Sequence, residues 1–276
     1  MPEQVANEFV SRAVVLSGWD LAIAAGLVVL AGVVSLVLRL GLEKRLGIAS
    51  VRTVVQLMLL GLVLRFVFDP SAHWLLAIVV AVMLLAASHE AVRRSESRFR
   101  GLTLLALLSL SLSAMFTTVV VTAVVVGVEP WYEPRYMIPL LGMILGNGLT
   151  GISLCVDSLL TTLREKRNHI EADLAMGATR WEAARGPLRD AVRRGMIPII
   201  NSMSVVGIVS IPGMMTGQIL AGADPAEAAK YQIVVMFMIA GATSLCCIMM
   251  ALLIYRRLFN ARHQLRAEHI HKFETR

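Results

Sequence analysis

The sequence predicts an all-α, polytopic integral membrane protein with about seven transmembrane helices, and three observations support this class. First, 57% of the 276 residues are hydrophobic and 16% are charged, with a mean hydropathy of +0.72. A soluble domain cannot bury so much apolar surface in one core. Second, seven stretches approach the roughly 20 apolar residues that a bilayer crossing requires. Third, Lys and Arg alternate between abundant and scarce from one connection to the next. These observations exclude a water-soluble enzyme.

The predicted spans follow one another along a single transmembrane domain, 1–276. No basic region precedes the first span and no small-residue cleavage pattern follows it, so we expect an uncleaved helix and not a signal peptide. The turn signals Asp69-Pro70 and Glu129-Pro130 predict short connections on the outer side. The seven spans are predicted at about 21–38, 53–68, 74–92, 102–128, 137–156, 196–220 and 233–255.

The distribution of basic residues predicts the orientation. Residues 39–52, 93–100, 157–195 and 256–276 carry twenty-two of the twenty-six Lys and Arg, whereas the N-terminus and the alternate connections carry three. Basic flanks are retained in the cytoplasm. We therefore expect an outside N-terminus, a cytoplasmic C-terminus, a cytosolic loop at 157–195 and a cytosolic tail at 256–276.

The sequence lacks the residues that several classes of function require. The net charge of +7 comes without long basic stripes or aromatic platforms, so no nucleic-acid partner is expected. No G-x-x-x-x-G-K-[ST] or H-E-x-x-H motif occurs, which excludes P-loop hydrolysis of ATP and a zinc protease of that type. Cys155, Cys246 and Cys247 lie in apolar runs and predict buried or lipid-facing thiols. The chain is therefore not expected to be an enzyme.

The cytosolic loop 157–195 carries the most specific local pattern. Gly177 suits the left-handed position that ends a helix, and Thr179-Arg180-Trp181-Glu182 is a capping box that starts another. Gly186-Pro187 predicts that this second helix ends after about two turns and that a third begins at the proline. The loop therefore predicts a bent pair of short helices on the cytoplasmic surface.

The same loop resembles a known docking segment. Glu171-Ala172 followed by Gly177 resembles the E-A-A-x-x-x-G loop of ABC transporter permeases, which forms a coupling helix that docks on a separate ATPase. Asp173 takes the third position and the downstream I-x-L-P element is absent, so the match is partial. An ordinary surface helical hairpin is the alternative. The resemblance implies coupling roles for Glu171, Ala172, Gly177, Ala178 and Thr179.

A wider resemblance rests on an ordered set of motifs, strongest in the C-terminal half. These are Gly142-Met143-Ile144 with Gly146-Asn147, Leu174 to Thr179, Gly207 to Met215, Ala221 to Pro225, Lys230 to Ile233 and Arg262 to Leu265. Together they resemble the FetB family of bacterial iron-export ABC permeases, which is similar also to plant permeases linked to aluminium tolerance. The resemblance implies a half-transporter in the bacterial inner membrane: two copies of this chain with two copies of an ATPase. ATP and Mg would bind the ATPase, and this chain would hold no cofactor.

Polar residues in the predicted spans are candidates for a translocation path. Asn147, Asn201 and Gln218 place amides where an unpaired polar group is costly. Two roles are open for these amides: they line a path, or they form hydrogen bonds between helices. Pro212 and Gly213 predict an interruption of the sixth span that serves as a hinge. Two further path candidates, Met214 and Met215, follow only from the family motif.

A metal site is the remaining candidate. His89 and Glu90 end the third predicted span on the cytoplasmic side, and Asp157 ends the fifth on that side. We expect an inner metal-capture site if the helices bring the three together.

Together these predictions describe a dimeric permease that exports a metal such as iron and is driven by a separate ATPase. Membrane lipids are the other expected partners. One rival is an ion-gradient-driven secondary carrier, which mid-span carboxylates would favour. A second is a non-transporting membrane scaffold or sensor, which would need neither the loop pattern nor the amides.

Overall fold

The computed structural model describes residues 17–68, 73–95, 97–260, 264–266 and 270–272, and predictions that fall elsewhere, such as the Asp69-Pro70 turn, lie outside them. Helices dominate these residues, which confirms the all-α class. The chain forms two compact units. One comprises the residues up to Leu76 with Gly217–Ala223, and the other comprises Ala77–Thr216 with Asp224–Arg276.

In the first unit, α1 (Gly18–Val37) and α2 (Glu43–Val67) pack against each other as a helical hairpin. The Ser35 hydroxyl fastens the short connection between them. It donates to Oε2 of Glu43 at 2.9 Å and accepts the backbone N–H of Leu42 at 3.0 Å. Because Ser35 is buried, these bonds satisfy a polar group that would otherwise be costly.

The later helices build the larger unit around α5 (Pro134–Glu165), which contacts α4 (Leu102–Val119), α7 (Arg180–Val205) and α9 (Pro225–Leu258). α4 continues directly into a π-helical segment, Val120–Val126, which ends at the left-handed Gly127. Asp224 caps α9 by accepting the backbone N–H groups of Ala226 and Glu227. In chain order the helices after α2 are α3 (His73–Arg93), α4 (Leu102–Val119), α5 (Pro134–Glu165), α6 (Arg167–Ala175), α7 (Arg180–Val205), α8 (Gly213–Leu220) and α9 (Pro225–Leu258). The start of α3, up to Leu76, and the end of α8, from Gly217, belong to the smaller unit.

Helices α5, α7 and α9 pack closely where they meet. A Cβ atom added at Gly195 would lie 2.7 Å from the carbonyl oxygen of Gly151 and 2.8 Å from Sγ of Cys247. Small residues permit such a close approach of helix backbones. The Cys155 thiol donates to the carbonyl of Cys247 at 3.7 Å. All three cysteines, Cys246 included, are buried and free, which is one of the two environments predicted for them, buried or lipid-facing.

Six helices of the described chain are long and apolar enough to cross a membrane: α1, α2, α3, α4 with its π-helical end, α5 and α9. They coincide with six of the seven predicted spans. The other predicted span, 196–220, is not a continuous helix, because α7 ends at Val205 and α8 begins at Gly213. Left-handed Gly207 turns the chain between them, with φ +83°, and Pro212 cannot donate a helical hydrogen bond.

The predicted break at Gly186-Pro187 is wrong, because α7 runs without interruption from Arg180 to Val205 and contains both Pro187 and Pro198. The missing N–H of a proline weakens a helix interior, but tertiary packing outweighs that loss here. α7 contacts α5 and α9 and buries one face, formed by Ala183, Ala184, Leu188, Ala191, Gly195 and Ile199.

A short sheet, which the sequence did not predict, joins the C-terminal tail to the α3–α4 connection. Strand β1 (Ser97–Arg98) pairs antiparallel with β2 (His271–Lys272). Within the tail, the backbone N–H of Arg266 donates to the carbonyl of Leu258 at 2.8 Å, and Leu265 is buried. The described part of the tail therefore folds back onto the larger unit.

Candidate functional site

The predicted helix end at Gly177 is present. The backbone there has φ +99°, the left-handed conformation that glycine adopts at low cost. Two N–H groups bond back to the last turn of α6: Gly177 to Leu174 at 3.2 Å and Ala178 to Asp173 at 3.0 Å. These bonds satisfy carbonyls that a helix end leaves free. The turn after α6 therefore forms a C-terminal cap that ends this helix.

The predicted capping box at the start of α7 is also present. The Thr179 hydroxyl accepts the backbone N–H of Glu182 at 3.3 Å, while Oε2 of Glu182 accepts the backbone N–H of Thr179 at 2.8 Å and its hydroxyl at 2.7 Å. The backbone bond, then the hydroxyl bond, lowers the pKa of Glu182 below its ordinary value. Because that pKa is lowered on folding, the contribution of Glu182 to stability is present above the ordinary pKa and is lost as the pH falls through the lowered one.

Residues 167–182 contain the five residues with predicted coupling roles and are called the coupling element below. Buried Ile170 anchors α6, since only 3% of it is exposed. Glu171 does not stand alone, because its Oε1 accepts Nε of Arg167 at 2.7 Å along the same helix. By contrast, Met176 at the tip of the turn is 80% exposed. Met176 is thus the most exposed large apolar side chain of the coupling element.

Aromatic packing ties the coupling element to the end of α9. The rings of Trp181 and Tyr255 meet edge-on with centroids 5.6 Å apart, and the Tyr255 ring contacts Phe259 at 5.4 Å. The guanidinium of Arg180 lies 5.9 Å from the Tyr255 ring centroid and donates to the carbonyl of Asn260 at 3.5 Å. Sequence reasoning missed these contacts and the exposed Met176, because no local pattern links residues so far apart.

The path candidates lie in different environments. The Asn147 amide is half-buried and donates to the carbonyl of Met143 on its own helix at 2.9 Å. Asn201 is exposed near the end of α7, and Met214 and Met215 are half-buried in the first turn of α8. Gln218, which belongs to the smaller unit, has a buried Oε1 with no hydrogen-bond partner in the described part of the chain.

The predicted hinge residues border the interruption between α7 and α8. Gly213 is the first residue of α8, and the Pro212 carbonyl accepts the backbone N–H of Thr216 at 3.0 Å. The interruption itself starts earlier, where the Gly207 N–H donates to the carbonyl of Ser210 at 2.9 Å. Pro212 therefore starts the second helical piece, and the turn of the backbone occurs at Gly207.

The metal candidates are not gathered into one site. Among the described residues, no group of three or more His, Cys, Asp or Glu side chains could hold a metal ion. His89 is exposed, and Glu90 pairs with Nε of Arg94 at 3.6 Å. Asp157 is half-buried on α5. The structure thus does not combine these three into the predicted capture site.

Comparison with known proteins places the chain in a family. The profile described as "Uncharacterised protein family (UPF0014)" matches residues 18–259. A UPF0014 membrane protein of Synechocystis sp. is 40% identical over 228 residues, 82% of this chain and 87% of that protein. The Escherichia coli (strain K12) protein named "Probable iron export permease protein FetB" is 34% identical over 246 residues, 89% and 93% of the two chains.

A plant relative extends the similarity. The Arabidopsis thaliana protein ALUMINUM SENSITIVE 3 is 32% identical over 244 residues, 88% of each chain. No solved structure matches the chain. The resemblance to the FetB family is therefore confirmed, and the chain is a multi-pass membrane protein that belongs to the UPF0014 family.

Proposed function

We propose that this chain is the permease subunit of an ABC transporter, which acts as a homodimer with a separate cytosolic ATPase in the bacterial inner membrane and exports a metal ion such as iron. The name of the Escherichia coli relative supports both the permease role and the substrate. The observation that carries the proposal is the coupling element, a capped helix–turn–helix with an exposed apolar tip. The metal is not assigned to His89, Glu90 and Asp157, because these are not grouped.

The coupling element has the features that docking requires. Met176 would enter an apolar groove on the ATPase, and exposed Ala172 and Gly177 would allow its backbone to come close. The helix stop and the capping box hold the turn in shape before the partner arrives, which reduces the ordering cost of binding. Closure of two ATP-bound ATPase subunits would then draw the two coupling elements of the dimer together.

Motion would pass from the coupling element into the membrane by two routes. The first is α7 itself, which continues from the capping box to Val205 beside α5 and α9. The second is the contact of Trp181 with Tyr255 at the end of α9. Because both routes are helices or packed rings, a displacement of the turn would move α7 and α9 together.

The orientation predicted from the basic residues fits this arrangement only if segment 196–220 crosses the membrane. With loop 157–195 in the cytoplasm and α9 ending there, the start of α9 at Pro225 lies outside. The chain must then cross between 195 and 225, as a span broken at 206–212. Such non-helical backbone at membrane depth is tolerated where it is buried in protein or lines a water-filled cavity.

The broken span supplies the path in this proposal. Asn201, Ser202 and Ser204 are exposed on the surface of the protomer, although polar groups facing lipid are disfavoured. They would instead face the second copy across the dimer axis and line the route with Asn147. The turn at 206–212, together with the start of α8, would be the part that rearranges between inward-open and outward-open states.

Reconstitution tests the proposal. The chain is purified with a co-expressed ABC ATPase and placed in liposomes, and ATP hydrolysis is measured with and without Fe²⁺. We expect a stable complex whose hydrolysis rises with the metal, and ATP-dependent movement of metal across the bilayer. Metal movement driven by an ion gradient without ATP would support the secondary carrier instead. The absence of both ATP-driven and gradient-driven movement would support the scaffold or sensor.

A further inference from the structure

A cleft of 610 Å³ lies in the larger unit between the end of α3 and the start of α4. Its position at the ends of two apolar helices puts it at a membrane boundary. This position at a membrane boundary does not depend on which side of the membrane the cleft faces. The cleft is lined by His89, Val92, Arg93, Arg98, Phe99, Arg100 and Thr103.

The charged part of the lining is cationic. Among the residues that the structure describes, the lining holds three arginines, one histidine and no carboxylate. In the surrounding sequence, 89–100, two glutamates accompany four arginines. One of them, Glu90, pairs with Arg94 at 3.6 Å, and Arg94 does not line the cleft.

Backbone carbonyls hold one of the cationic groups in position. Nη2 of Arg98 donates to the carbonyl of Arg93 at 2.7 Å, and its Nε donates to the carbonyl of Ser95 at 3.2 Å. The pairing of Arg98 with His271 between β1 and β2 fixes the backbone of this segment as well. A guanidinium that is already oriented loses less entropy when it binds an anion.

The lining also has an apolar part. Val92 and Phe99 are 6% and 7% exposed, whereas Arg93 and Arg100 are exposed at the rim. The cleft therefore offers an apolar floor beneath a cationic rim at the depth of lipid headgroups. A ligand with a phosphate group beside an apolar portion would match both parts, and basic pockets between membrane helices bind anionic headgroups in this way.

We propose that this cleft binds a phosphate group, supplied by the headgroup of an anionic phospholipid or by free phosphate. Arg93 and Arg100 contact the phosphate oxygens, and Arg98 adds a fixed positive charge. Bound phospholipid fastens the end of α3 to the start of α4. The site is separate from the coupling element and does not depend on the proposed transport function.

Native mass spectrometry of the purified full chain tests the site. The wild-type chain is equilibrated with equal amounts of phosphatidylglycerol and phosphatidylcholine, and the bound lipids are counted. We expect preferential retention of phosphatidylglycerol. Arg93→Gln should lower its affinity roughly fivefold, since one arginine near the membrane surface contributes about that factor, and Arg93→Gln with Arg100→Gln should abolish the preference.

Arg94→Gln is the matched control, because it removes the same charge one position away from the cleft. It should keep the wild-type preference. An equal loss in Arg93→Gln and Arg94→Gln would overturn the site, since it would show a diffuse charge effect. If the arginine variants fail to fold, the wild-type measurement still decides, because equal retention of the two lipids would also overturn it.

A competition arm separates the two sources of phosphate. Inorganic phosphate is added to the wild-type chain carrying phosphatidylglycerol, with sodium chloride of equal ionic strength as the control. Displacement by phosphate alone supports the site with free phosphate as an occupant. If phosphate does not displace phosphatidylglycerol, and Arg93→Gln still lowers the affinity for this lipid, the result supports the site with the lipid headgroup as its occupant.

Discussion

At Gly177 the backbone has φ +99°, and a Cβ atom there would meet nothing within 4 Å. The cost of Gly177→Ala is therefore purely conformational, about 1–2 kcal/mol. We expect this change to loosen the coupling turn and to lower transport and ATPase stimulation, while membrane insertion stays normal. ATP hydrolysis of the reconstituted complex measures it.

Gly186→Ala is the control for Gly177→Ala. Gly186 lies within helix α7, where a Cβ atom also meets nothing within 4 Å, and alanine there should be neutral or stabilise by up to about 1 kcal/mol. Full ATPase stimulation in the Gly177 variant would remove residues 167–182 as the docking element. Equal losses in both variants would show that the turn has no special role.

The contact of α7 with α5 and α9 depends on Gly195. Alanine at this position would bring its Cβ to 2.7 Å from a backbone oxygen, so the helices must separate. We expect Gly195→Ala to destabilise the chain by about 1–3 kcal/mol, the usual cost of overpacking. Gly241→Ala, whose Cβ meets nothing within 4 Å, should not. Equal melting temperatures for the two variants in detergent would contradict the close approach.

The two asparagines test the proposed path. Asn147 donates within its own helix and Asn201 is exposed, so neither bonds one helix to another by a contact found in the protomer. We expect Asn147→Leu and Asn201→Leu to lower metal-stimulated turnover with the melting temperature kept. A role in helix association would instead cost roughly 0.6–2 kcal/mol per interhelical bond. Unchanged transport with a lower melting temperature would contradict the path.

At the scale of elements, the contact between the coupling element and α9 can be measured by a double-mutant cycle. Trp181→Ala, Tyr255→Ala and the double variant should show a coupling energy of about 0.5–1.5 kcal/mol, as edge-on aromatic pairs do. Trp181→Ala with Phe237→Ala is the control, because Phe237 is exposed on the same helix, and its effects should add. Additive effects for Trp181 and Tyr255 would show that the rings do not couple.

Local signals explain which elements could be predicted. Apolar length located six membrane helices, and the glycine stop and capping box located the ends of α6 and α7, because each signal acts within one turn of chain. The break predicted at Pro187 is absent, because its helix is held by partners distant in sequence. The β1–β2 pair has two residues on each strand, too few for an alternating pattern to appear.

The residues of the candidate site also divide into those that local sequence signals predict and those that depend on the tertiary fold. Gly177 and Thr179 were found because their roles are conformational and local. The contact of Arg180 with Asn260 joins positions 80 residues apart, and the exposure of Met176 depends on how α6 packs. Neither follows from one sequence without the tertiary fold, and the three metal candidates failed to gather for the same reason.

At the scale of the whole molecule, the candidate membrane helices differ widely in burial. In their most apolar stretches, 56% of the residues of α5 and 50% of those of α9 are buried, against 6% for α1 and none for α2. Because few residues of α1 and α2 are buried by the described part of the chain, we expect lipid or a second copy to cover much of their apolar surface. The larger unit, which contains residues 167–182, has the buried core that the proposed transmission of motion requires.

The central claim is that the tip of the coupling element contacts an ATPase in the cytoplasm. A photo-crosslinking amino acid at position 176 tests it in intact cells, with position 131, in a connection predicted to lie outside, as the control. We predict that position 176 yields an adduct with a polypeptide that contains a P-loop motif, identified by mass spectrometry, and that position 131 does not. Adducts at 176 without any nucleotide-binding polypeptide, or labelling of 176 by an impermeant reagent from outside, would contradict the account.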